Sequence, residues 1–244
     1  VGGNAGMQGA IVLAARACLR AGAGLVRVCQ HPDQLPASLY QAELMGSQGG
    51  DEERWASVRV VGPGLGQDEW GRRHFESFVN EQVPLVLDAD GLNWLAQCPR
   101  HQDNWVLTPH PGEAARLLGC TIAEIAADRF AAVQRLQQRF GGVVLLKGAG
   151  TLIHDGKGMA LCDEGNPGMA SGGMGDLLSG IIAALYAQGL PLATACCVGV
   201  CIHGEAADLA ACAGERGLLA SDLLPLIRRL VNPQDTMNHV SIPD

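Results

Sequence analysis

The chain has 244 residues, of which 48% are hydrophobic and only 4% aromatic, and its formal net charge is −8. This length suits one large α/β domain, and an acidic chain without a cluster of Lys or Arg is not expected to bind nucleic acid. The nine cysteines include no C-x-x-C pair. The sequence therefore predicts neither a disulfide framework nor a zinc site, and it favours a reducing cytoplasm.

Helical stretches and short β-rich runs alternate along the chain as far as residue 148, which is the pattern of βαβ units. Strands are predicted at residues 25–29, 57–62, 84–90, 104–110 and 142–148. Helices are predicted at residues 7–21, 68–80, 112–118 and 122–139. Because the β-rich runs are apolar throughout, they fit strands that are buried on both faces. We therefore expect an α/β protein with a central, mainly parallel sheet between two helical layers.

The last third of the chain changes in character. Residues 142–156 predict two strands joined across a turn at 148–150, and two long helices are expected after Gly172 and after Pro191. No linker, repeat or low-complexity tract divides the chain. We therefore expect a single domain over residues 1–244.

Residues 177–202 carry no charged side chain and are long enough to cross a membrane. Residues 188–191, Gln-Gly-Leu-Pro, interrupt them, and such a break is typical of two separate buried helices. No membrane partner is therefore expected. Three cysteines in this Ala- and Val-rich stretch are expected to be buried small hydrophobes without a chemical role: Cys196, Cys197 and Cys201.

Polar residues occur at four strand ends, and ligands of parallel sheets bind beyond the carboxyl ends of the strands. They are Gly62 to Gly66, then Asp88 and Asp90, then His110 and Glu113, and finally Lys147. The two aspartates suit either strand-end capping or Mg²⁺ held together with substrate phosphates. Glu113 also suits a first-turn acid favoured by the helix dipole. Lys147 precedes Gly-Ala-Gly-Thr, where an adenine or a phosphate has room to approach the backbone.

Residues 166–176, NPGMASGGMGD, place a glycine-rich loop and an acid at the start of an apolar helix. Residues without a Cβ let several N–H groups approach one anion, and the helix dipole adds to this attraction. Asp176 is either the N-cap of that helix or an acid beside the anion. An anion cradle, one base and candidate Mg²⁺ acids are typical of phosphoryl transfer. No Ser/His/Asp or Cys/His order supports acyl transfer.

Six segments, in their order along the chain, resemble the ADP/ATP-dependent NAD(P)H-hydrate dehydratase family, a ribokinase-like domain often fused behind an NAD(P)H-hydrate epimerase domain. They are GGNAGMQGAIVLAARACLRAGAGLVRV, VGPGLG, LDADGLN, LTPHPGEAARLLG, LLKGAGTLI and NPGMASGGMGDLLSGIIAAL. The resemblance implies a three-layer αβα ribokinase-like fold with a central, mainly parallel sheet. It also implies ADP-dependent dehydration of (6S)-NAD(P)H hydrate to NAD(P)H, with release of AMP and phosphate.

The resemblance implies roles for particular residues. The hydrate would contact Ala10, Gly64, His110 and Asp176, whereas ADP or ATP would contact Lys147, Gly148, Ala149, Gly150, Thr151 and Gly175. Asp176 would deprotonate the hydroxyl on the reduced ring, whose oxygen would attack the terminal phosphate of ADP. Mg²⁺, held through the phosphates, is expected at Asp88, Asp90 and Glu113.

The resemblance further implies a cytoplasmic homo-oligomer, often a tetramer. A first strand should precede Val1 and is largely missing, so we expect an N-terminally truncated domain, with an epimerase domain before it in a full-length protein. Two alternatives stay open. A vitamin-precursor kinase of the same fold, such as a hydroxyethylthiazole kinase, would phosphorylate a stable alcohol, although TPHPGE and KGAGT together favour the dehydratase. A nucleotide-binding sensor without turnover would have no need of the acid at 176.

Overall fold

The computed structural model describes residues 1–47, 56–80 and 83–232. Its helices are α1 (Gln8–Arg20), α2 (Glu69–Val79), α3 (Asp90–Gln97), α4 (Pro111–Leu118), α5 (Ile122–Ala127), α6 (Arg129–Phe140), α7 (Met174–Ala187), α8 (Leu192–Ala211) and α9 (Ala220–Leu230). Its strands are β1 (Val26–Cys29), β2 (Leu44–Ser47), β3 (Arg59–Val61), β4 (Leu85–Leu87), β5 (Trp105–Leu107), β6 (Val143–Leu146), β7 (Thr151–His154) and β8 (Met159–Cys162). Each of the five predicted strands contains an observed strand, and each observed strand is shorter than predicted.

The central sheet has six strands in the order β3-β4-β5-β6-β7-β8. β3 to β6 are parallel neighbours, whereas β7 and β8 join antiparallel at one edge. β1 and β2 form a separate parallel pair. The expectation of a mainly parallel sheet is confirmed. Because β3 to β6 run side by side in one direction, their carboxyl ends share one edge of the sheet.

The first residues of the chain connect the two sheets. The amino group of Val1 donates to Val60 O at 2.7 Å, and Gly2 N donates to Cys29 O at 3.0 Å. β1 and β3 flank an apolar groove of about 140 Å³ that Val1, α1 and α7 also line. The strand that the resemblance places before Val1 stays a prediction.

Alternating side chains of the central strands build a core on each face of the sheet. Leu85 and Leu87 of β4 belong to the core beneath α2 to α6. Val86, between them, belongs to the core beneath α7 and α8. β5 and β6 repeat this alternation, and burial of each such side chain stabilises the fold by about 1.5–3 kcal/mol. The expected three-layer αβα arrangement is therefore confirmed.

The helix predicted over residues 122–139 is two helices. α5 ends at Ala127 because Asp128 leaves the helical region, with φ −149° and ψ 88°. The Asp128 side chain then caps α6 by accepting a hydrogen bond from Ala131 N at 2.9 Å. The sequence prediction also omits β2, α3, β8 and α9. Of these, β2 and β8 are four-residue strands at sheet edges, and α9 contains Pro225, a residue that disfavours helix interiors.

α7 and α8 are separate helices, as the break at residues 188–191 predicts. α8 is long and apolar enough to cross a membrane by length and composition, but half of its apolar window is buried inside the protein. A core helix of a globular domain has this property. α7 also packs closely along α1, since a Cβ on Gly180 would lie only 2.2 Å from Ala14 O.

All nine cysteines lie in the described ranges, and none of them forms a disulfide bond. Cys196 is buried in the core beneath α8, as expected. Cys201 is exposed, so the expectation that it is a buried small hydrophobe is wrong. The physical reason is its position on α8, where its sulfur lies against the end of β8 rather than in the core.

Candidate active site

Four strand ends bring polar groups to one edge of the central sheet. The residues that follow β3 to β6 there include Gly64, Asp88, Thr108 and Lys147. The first turn of α7 lies over this edge, because a Cβ on Gly175 would be 3.0 Å from Lys147 Nζ and 3.5 Å from Asp88 Oδ2. The structure therefore brings the glycine-rich loop and three of the predicted strand ends to one place.

A buried ion pair lies at the centre of this edge. Lys147 Nζ is 2.7 Å from Asp88 Oδ1, and only 2% of the Asp88 side chain is exposed. Thr108 Oγ1 donates to Asp88 Oδ1 at 2.8 Å, and Ser179 Oγ donates to Asp88 Oδ2 at 2.9 Å. Burial alone would raise the pKa of Asp88, but Lys147 and these hydroxyls hold the pKa below its usual value. Asp88 therefore stays ionised beside the ammonium group.

α4 begins with a capping box formed by His110 and Glu113. Glu113 Oε2 accepts from His110 N at 2.8 Å, and His110 Nδ1 accepts from Gly112 N at 2.9 Å. Burial raises the pKa of Glu113 to about 7, although Lys147, 3.9 Å away, opposes the rise. Burial and the nearby Lys147 lower the pKa of His110, so its ring is neutral at pH 7. The structure thus brings His110 and Glu113 to the same centre.

Asp176 is the third residue of α7 and is not its N-cap. Gly173 is the N-cap, with a φ of 92° that a residue with a Cβ rarely adopts. Within the described ranges, the Asp176 carboxylate has no hydrogen-bond partner. Burial raises the pKa of Asp176 to about 7, and the negative charge of Asp88 adds to the rise. This environment suits a group that exchanges a proton near neutral pH.

A glycine turn after β6 forms a second part of the site, and Lys147 stands at its start. Lys147 N donates to Pro109 O at 2.9 Å, which joins the ends of β6 and β5. Arg129, the first residue of α6, donates to Ala149 O and to Gly150 O at 2.6 and 2.7 Å. Sequence reasoning missed Arg129, because its partners are carbonyl groups that only the folded turn presents. The guanidinium therefore fixes the turn whose residues are predicted to bind the nucleotide.

Ala10 and Gly64, the predicted substrate contacts of the first two glycine-rich motifs, lie side by side. A Cβ on Gly64 would be 2.5 Å from Met7 O and 3.3 Å from Ala10 Cβ. Leu13, one turn further along α1, packs beneath Gly173 of the loop. The N-termini of α1 and α7 therefore meet at this edge, and both helix dipoles favour an anion there.

Asp90 is directed away from the other two acids predicted to hold Mg²⁺. Asp90 Oδ2 accepts from Gly66 N at 2.8 Å, and its Oδ1 accepts from the side-chain amides of Gln67 and Asn93. Asp88 has both carboxylate oxygens engaged, and Glu113 has an ammonium nearby. Because Mg²⁺ needs several free oxygen ligands at short range, these side chains as arranged do not form a direct magnesium site.

Two buried polar atoms near the glycine-rich loop were not singled out by the sequence. In the described part of the chain, Ser171 Oγ and His203 Nε2 are buried without a hydrogen-bond partner. The His203 ring interacts with the backbone of Met174, and burial lowers the pKa of His203 to about 4. No sequence signal distinguishes His203, because it occurs inside the apolar helix α8. The neutral imidazole of His203 therefore contacts the first residue of α7.

Comparisons with known proteins point to one family. The family model described as NAD(P)H-hydrate dehydratase matches residues 1–229. A bifunctional NAD(P)H-hydrate repair enzyme of Vibrio cholerae is 53% identical over 240 residues, which cover 95% of this chain and 49% of the relative. An ADP-dependent (S)-NAD(P)H-hydrate dehydratase of Neisseria meningitidis is 41% identical over 247 residues, which cover 95% of this chain and 83% of the relative.

A solved structure agrees with these sequence relatives. The ADP/ATP-dependent NAD(P)H-hydrate dehydratase of Bacillus subtilis, co-crystallised with ATP/Mg²⁺, is 27% identical and superposes with a TM-score of 0.84. The superposition covers 94% of this chain and 86% of that chain. The chain spans about half the length of the bifunctional relatives that it matches.

Proposed function

The chain belongs to the NAD(P)H-hydrate dehydratase family, and on that premise we propose that it dehydrates (6S)-NAD(P)H hydrate with ADP as phosphoryl donor. The products are NAD(P)H, AMP and phosphate. The observation that carries the proposal is the position of Asp176. It is an acid without a hydrogen-bond partner in the described structure, beside a buried Lys147–Asp88 pair and at the start of a helix.

Asp176 is the general base of the proposed reaction. Burial raises the pKa of Asp176 to about 7, which is close to neutral pH. A base is most effective when its pKa lies near the working pH, since it is then both available and strong enough to take a proton. Its place in the first turn of α7 puts it next to the backbone amides that would face the phosphate.

The chemistry proceeds in two steps. Asp176 takes the proton of the hydroxyl on the hydrated ring while that oxygen bonds to the terminal phosphorus of ADP. The bond between this phosphorus and the bridging oxygen breaks, and AMP leaves. The phosphorylated oxygen then departs from the ring as phosphate, with loss of a ring proton, and the dihydropyridine is restored.

Positive electrostatic potential stabilises the phosphoryl group during its transfer, which is the main requirement of such reactions. Lys147 supplies an ammonium group that Asp88 and Glu113 hold in the charged form, and its pKa is raised by them against the effect of burial. The N-termini of α1 and α7 add their dipoles. The turn from Gly148 to Thr151, fixed by Arg129, receives the nucleotide.

The hydrate lies across the two glycine-rich motifs, against Ala10, Gly64 and His110. Gly64 packs against Met7 and Ala10, which supports a role for the first two glycine-rich motifs as one binding surface. Mg²⁺ is proposed only as a counter-ion of the nucleotide phosphates, as in the Bacillus subtilis crystals with ATP/Mg²⁺, and no step above depends on it. A cytoplasmic homotetramer and fusion to an epimerase domain belong to the same proposal.

The absorbance of reduced nicotinamide tests the proposal directly. Purified NADH hydrate is mixed with the protein in parallel with ADP, with ATP and without nucleotide, each with Mg²⁺ or excess chelator. A rise that requires nucleotide is expected, with ADP as the better donor. If the protein is folded and binds ADP but the absorbance does not rise, the dehydratase proposal fails, and a phosphorylated alcohol in other assays would favour a kinase.

A further inference from the structure

Two thiols and a carboxylate meet outside the candidate active site, where β8 ends against α8. Among the described residues, Cys162, Glu164 and Cys201 are the one group of three His, Cys, Asp or Glu side chains whose ligand atoms all lie within 4.8 Å of one another. Cys162 Sγ donates to Glu164 Oε2 at 2.9 Å. The Cys201 thiol interacts with both Glu164 and Cys162.

The surrounding fold holds these three side chains at short range. Gly204 lets α8 approach the end of β8, because a Cβ there would lie 2.8 Å from Glu164 Cβ. Asp208, one turn further along α8, accepts hydrogen bonds from Gly165 N at 2.9 Å and from Asn166 Nδ2 at 2.8 Å. The segment that carries Glu164 is thus fixed on both sides, by β8 and by Asp208. The packing of α8 against the end of β8 therefore helps to set the spacing of the ligand atoms.

We propose that Cys162, Glu164 and Cys201 bind a thiophilic divalent cation, with zinc as its natural occupant and water as the fourth ligand. Two sulfur ligands and one carboxylate favour zinc over magnesium or calcium, which prefer oxygen ligands. A Zn–S bond of about 2.3 Å separates two tetrahedral sulfur ligands by about 3.8 Å. Because the sulfur atoms lie within 4.8 Å of each other, they need to approach by at most about 1 Å to reach that geometry.

The cysteines differ in exposure in a way that suits a ligand site. Cys162 is buried, whereas Cys201 and Glu164 are exposed, so a cation can enter from solvent and reach the inner sulfur.

A bound cation would join the edge strand β8 to α8. Gly165 alone separates Glu164 from the glycine-rich loop of residues 166–176. Occupancy would therefore restrain the approach to that loop and stabilise the folded protein by mass action. The site uses none of the groups assigned to phosphoryl transfer, so it can be tested without turnover.

Cobalt(II) is the probe, because its bond to a thiolate gives a sulfur-to-metal charge-transfer band that oxygen ligands do not give. The full chain is kept reduced with a non-thiol phosphine and titrated with Co²⁺, followed by displacement with Zn²⁺. We compare wild type with Cys201→Ser, Cys162→Ser and Glu164→Gln. Cys212→Ser is the matched control, since Cys212 is an exposed cysteine at the end of α8 outside the cluster.

One equivalent of Co²⁺ with a charge-transfer band is expected for wild type and for the Cys212→Ser variant. Cys201→Ser should abolish the band, and because this residue is exposed, the variant should remain folded. Glu164→Gln should weaken binding by at least about tenfold, the loss that even outer-shell substitutions cause at metal sites. Zn²⁺ should raise the Tm of wild type but not of Cys201→Ser. A wild-type protein without the band, or a band that persists in Cys201→Ser, overturns the proposal.

Discussion

Two capping boxes follow each other in the chain, and the pKa values of their glutamates are shifted in opposite directions. Glu113 accepts from the N-cap backbone at the start of α4, and Glu124 does the same at the start of α5, each at 2.8 Å. The hydrogen bond from the Thr121 backbone lowers the pKa of Glu124, which is exposed. Burial raises the pKa of Glu113 to about 7. The same local motif is thus solvent-exposed in one helix and part of the buried candidate active site in the other.

The difference teaches that burial and charged neighbours, and not the local motif, decide the chemistry of an acid. Glu113 is buried and lies 3.9 Å from Lys147 at the shared edge of the parallel strands, whereas Glu124 is exposed to solvent. Other groups of the site also have counterparts elsewhere with similar local geometry. Substituting each member of such a pair in a separate variant distinguishes the effect of the site from the effect of the local motif.

The largest effect is expected for Asp176, whose counterpart is Asp222 at the same position of α9. Asp222 Oδ2 accepts from Leu219 N at 2.9 Å, while Asp176 makes no such bond in the described structure. Asp176→Asn should lower kcat by about 10² or more and leave ADP affinity nearly unchanged, because it removes the base and keeps the shape. Asp222→Asn should leave kcat unchanged. Steady-state kinetics and calorimetry with ADP decide, and a near-normal kcat for Asp176→Asn would remove its role as base.

The next effect concerns stability and compares two ion pairs. Lys147 pairs with buried Asp88, whereas Arg72 pairs with exposed Glu69 on the surface of α2. Lys147→Met leaves a buried carboxylate without its partner, which should cost about 3–5 kcal/mol in the free energy of unfolding. Arg72→Met should change it little, because exposed pairs are screened by solvent.

Urea unfolding measures both changes, and a double variant tests the cause. Asp88→Asn in the background of Lys147→Met removes the stranded charge and should restore part of the lost stability. The Asp88→Asn single variant completes the comparison. If the stability losses of Lys147→Met and Asp88→Asn add up to the loss of the double variant, the loss comes from packing and not from the buried ion pair.

The sequence predicts the fold well because buried parallel strands leave a strong signal. The apolar runs identify β1 and β3 to β6, and their parallel order then brings Asp88, Glu113 and Lys147 to one edge. The sequence cannot separate Asp88 from Asp90, two residues away. The backbone turns between them at Ala89, which has a φ of 46° and is the one residue other than glycine with positive φ in the described ranges.

Contacts between distant elements lie beyond such patterns. Arg129 is one of several arginines on α6 by sequence, and its bonds to the glycine turn arise only when α6 packs beside β6 and β7. His203 lies inside an apolar helix and reaches the backbone of Met174 only in the folded protein. The cysteines near β8 likewise meet across 39 residues of chain, since Cys162 and Cys201 differ by that number. Periodicity and motif spacing do not predict such contacts between residues that are distant in the sequence.

A smaller effect is expected in the glycine-rich loop, where Gly175 and Gly172 form the pair. A Cβ on Gly175 would lie 3.0 Å from Lys147 Nζ, whereas a Cβ on Gly172 would meet nothing within 4 Å. Gly175→Ala should weaken ADP binding several-fold, because the methyl group takes the space in which a phosphate approaches the backbone. Gly172→Ala should bind ADP as wild type does. Equal affinities for both variants by calorimetry would argue against an anion cradle at the start of α7.

The smallest effect returns to the two capping boxes and depends on pH. The folded pKa of Glu113, about 7, lies above its ordinary value of 4.5, so the folded state binds the extra proton and loses stability as the pH rises between these values. Glu124 has a lowered pKa, so its contribution is present above its ordinary value and is lost as the pH falls. Glu113→Gln should therefore raise the Tm at pH 8 by about 2–4 °C, equivalent to about 1 kcal/mol in a domain of this size, and Glu124→Gln should lower it. Both differences should shrink toward pH 4 in thermal scans. A decrease of Tm at pH 8 in both variants would mean that Glu113, like Glu124, serves only to cap its helix.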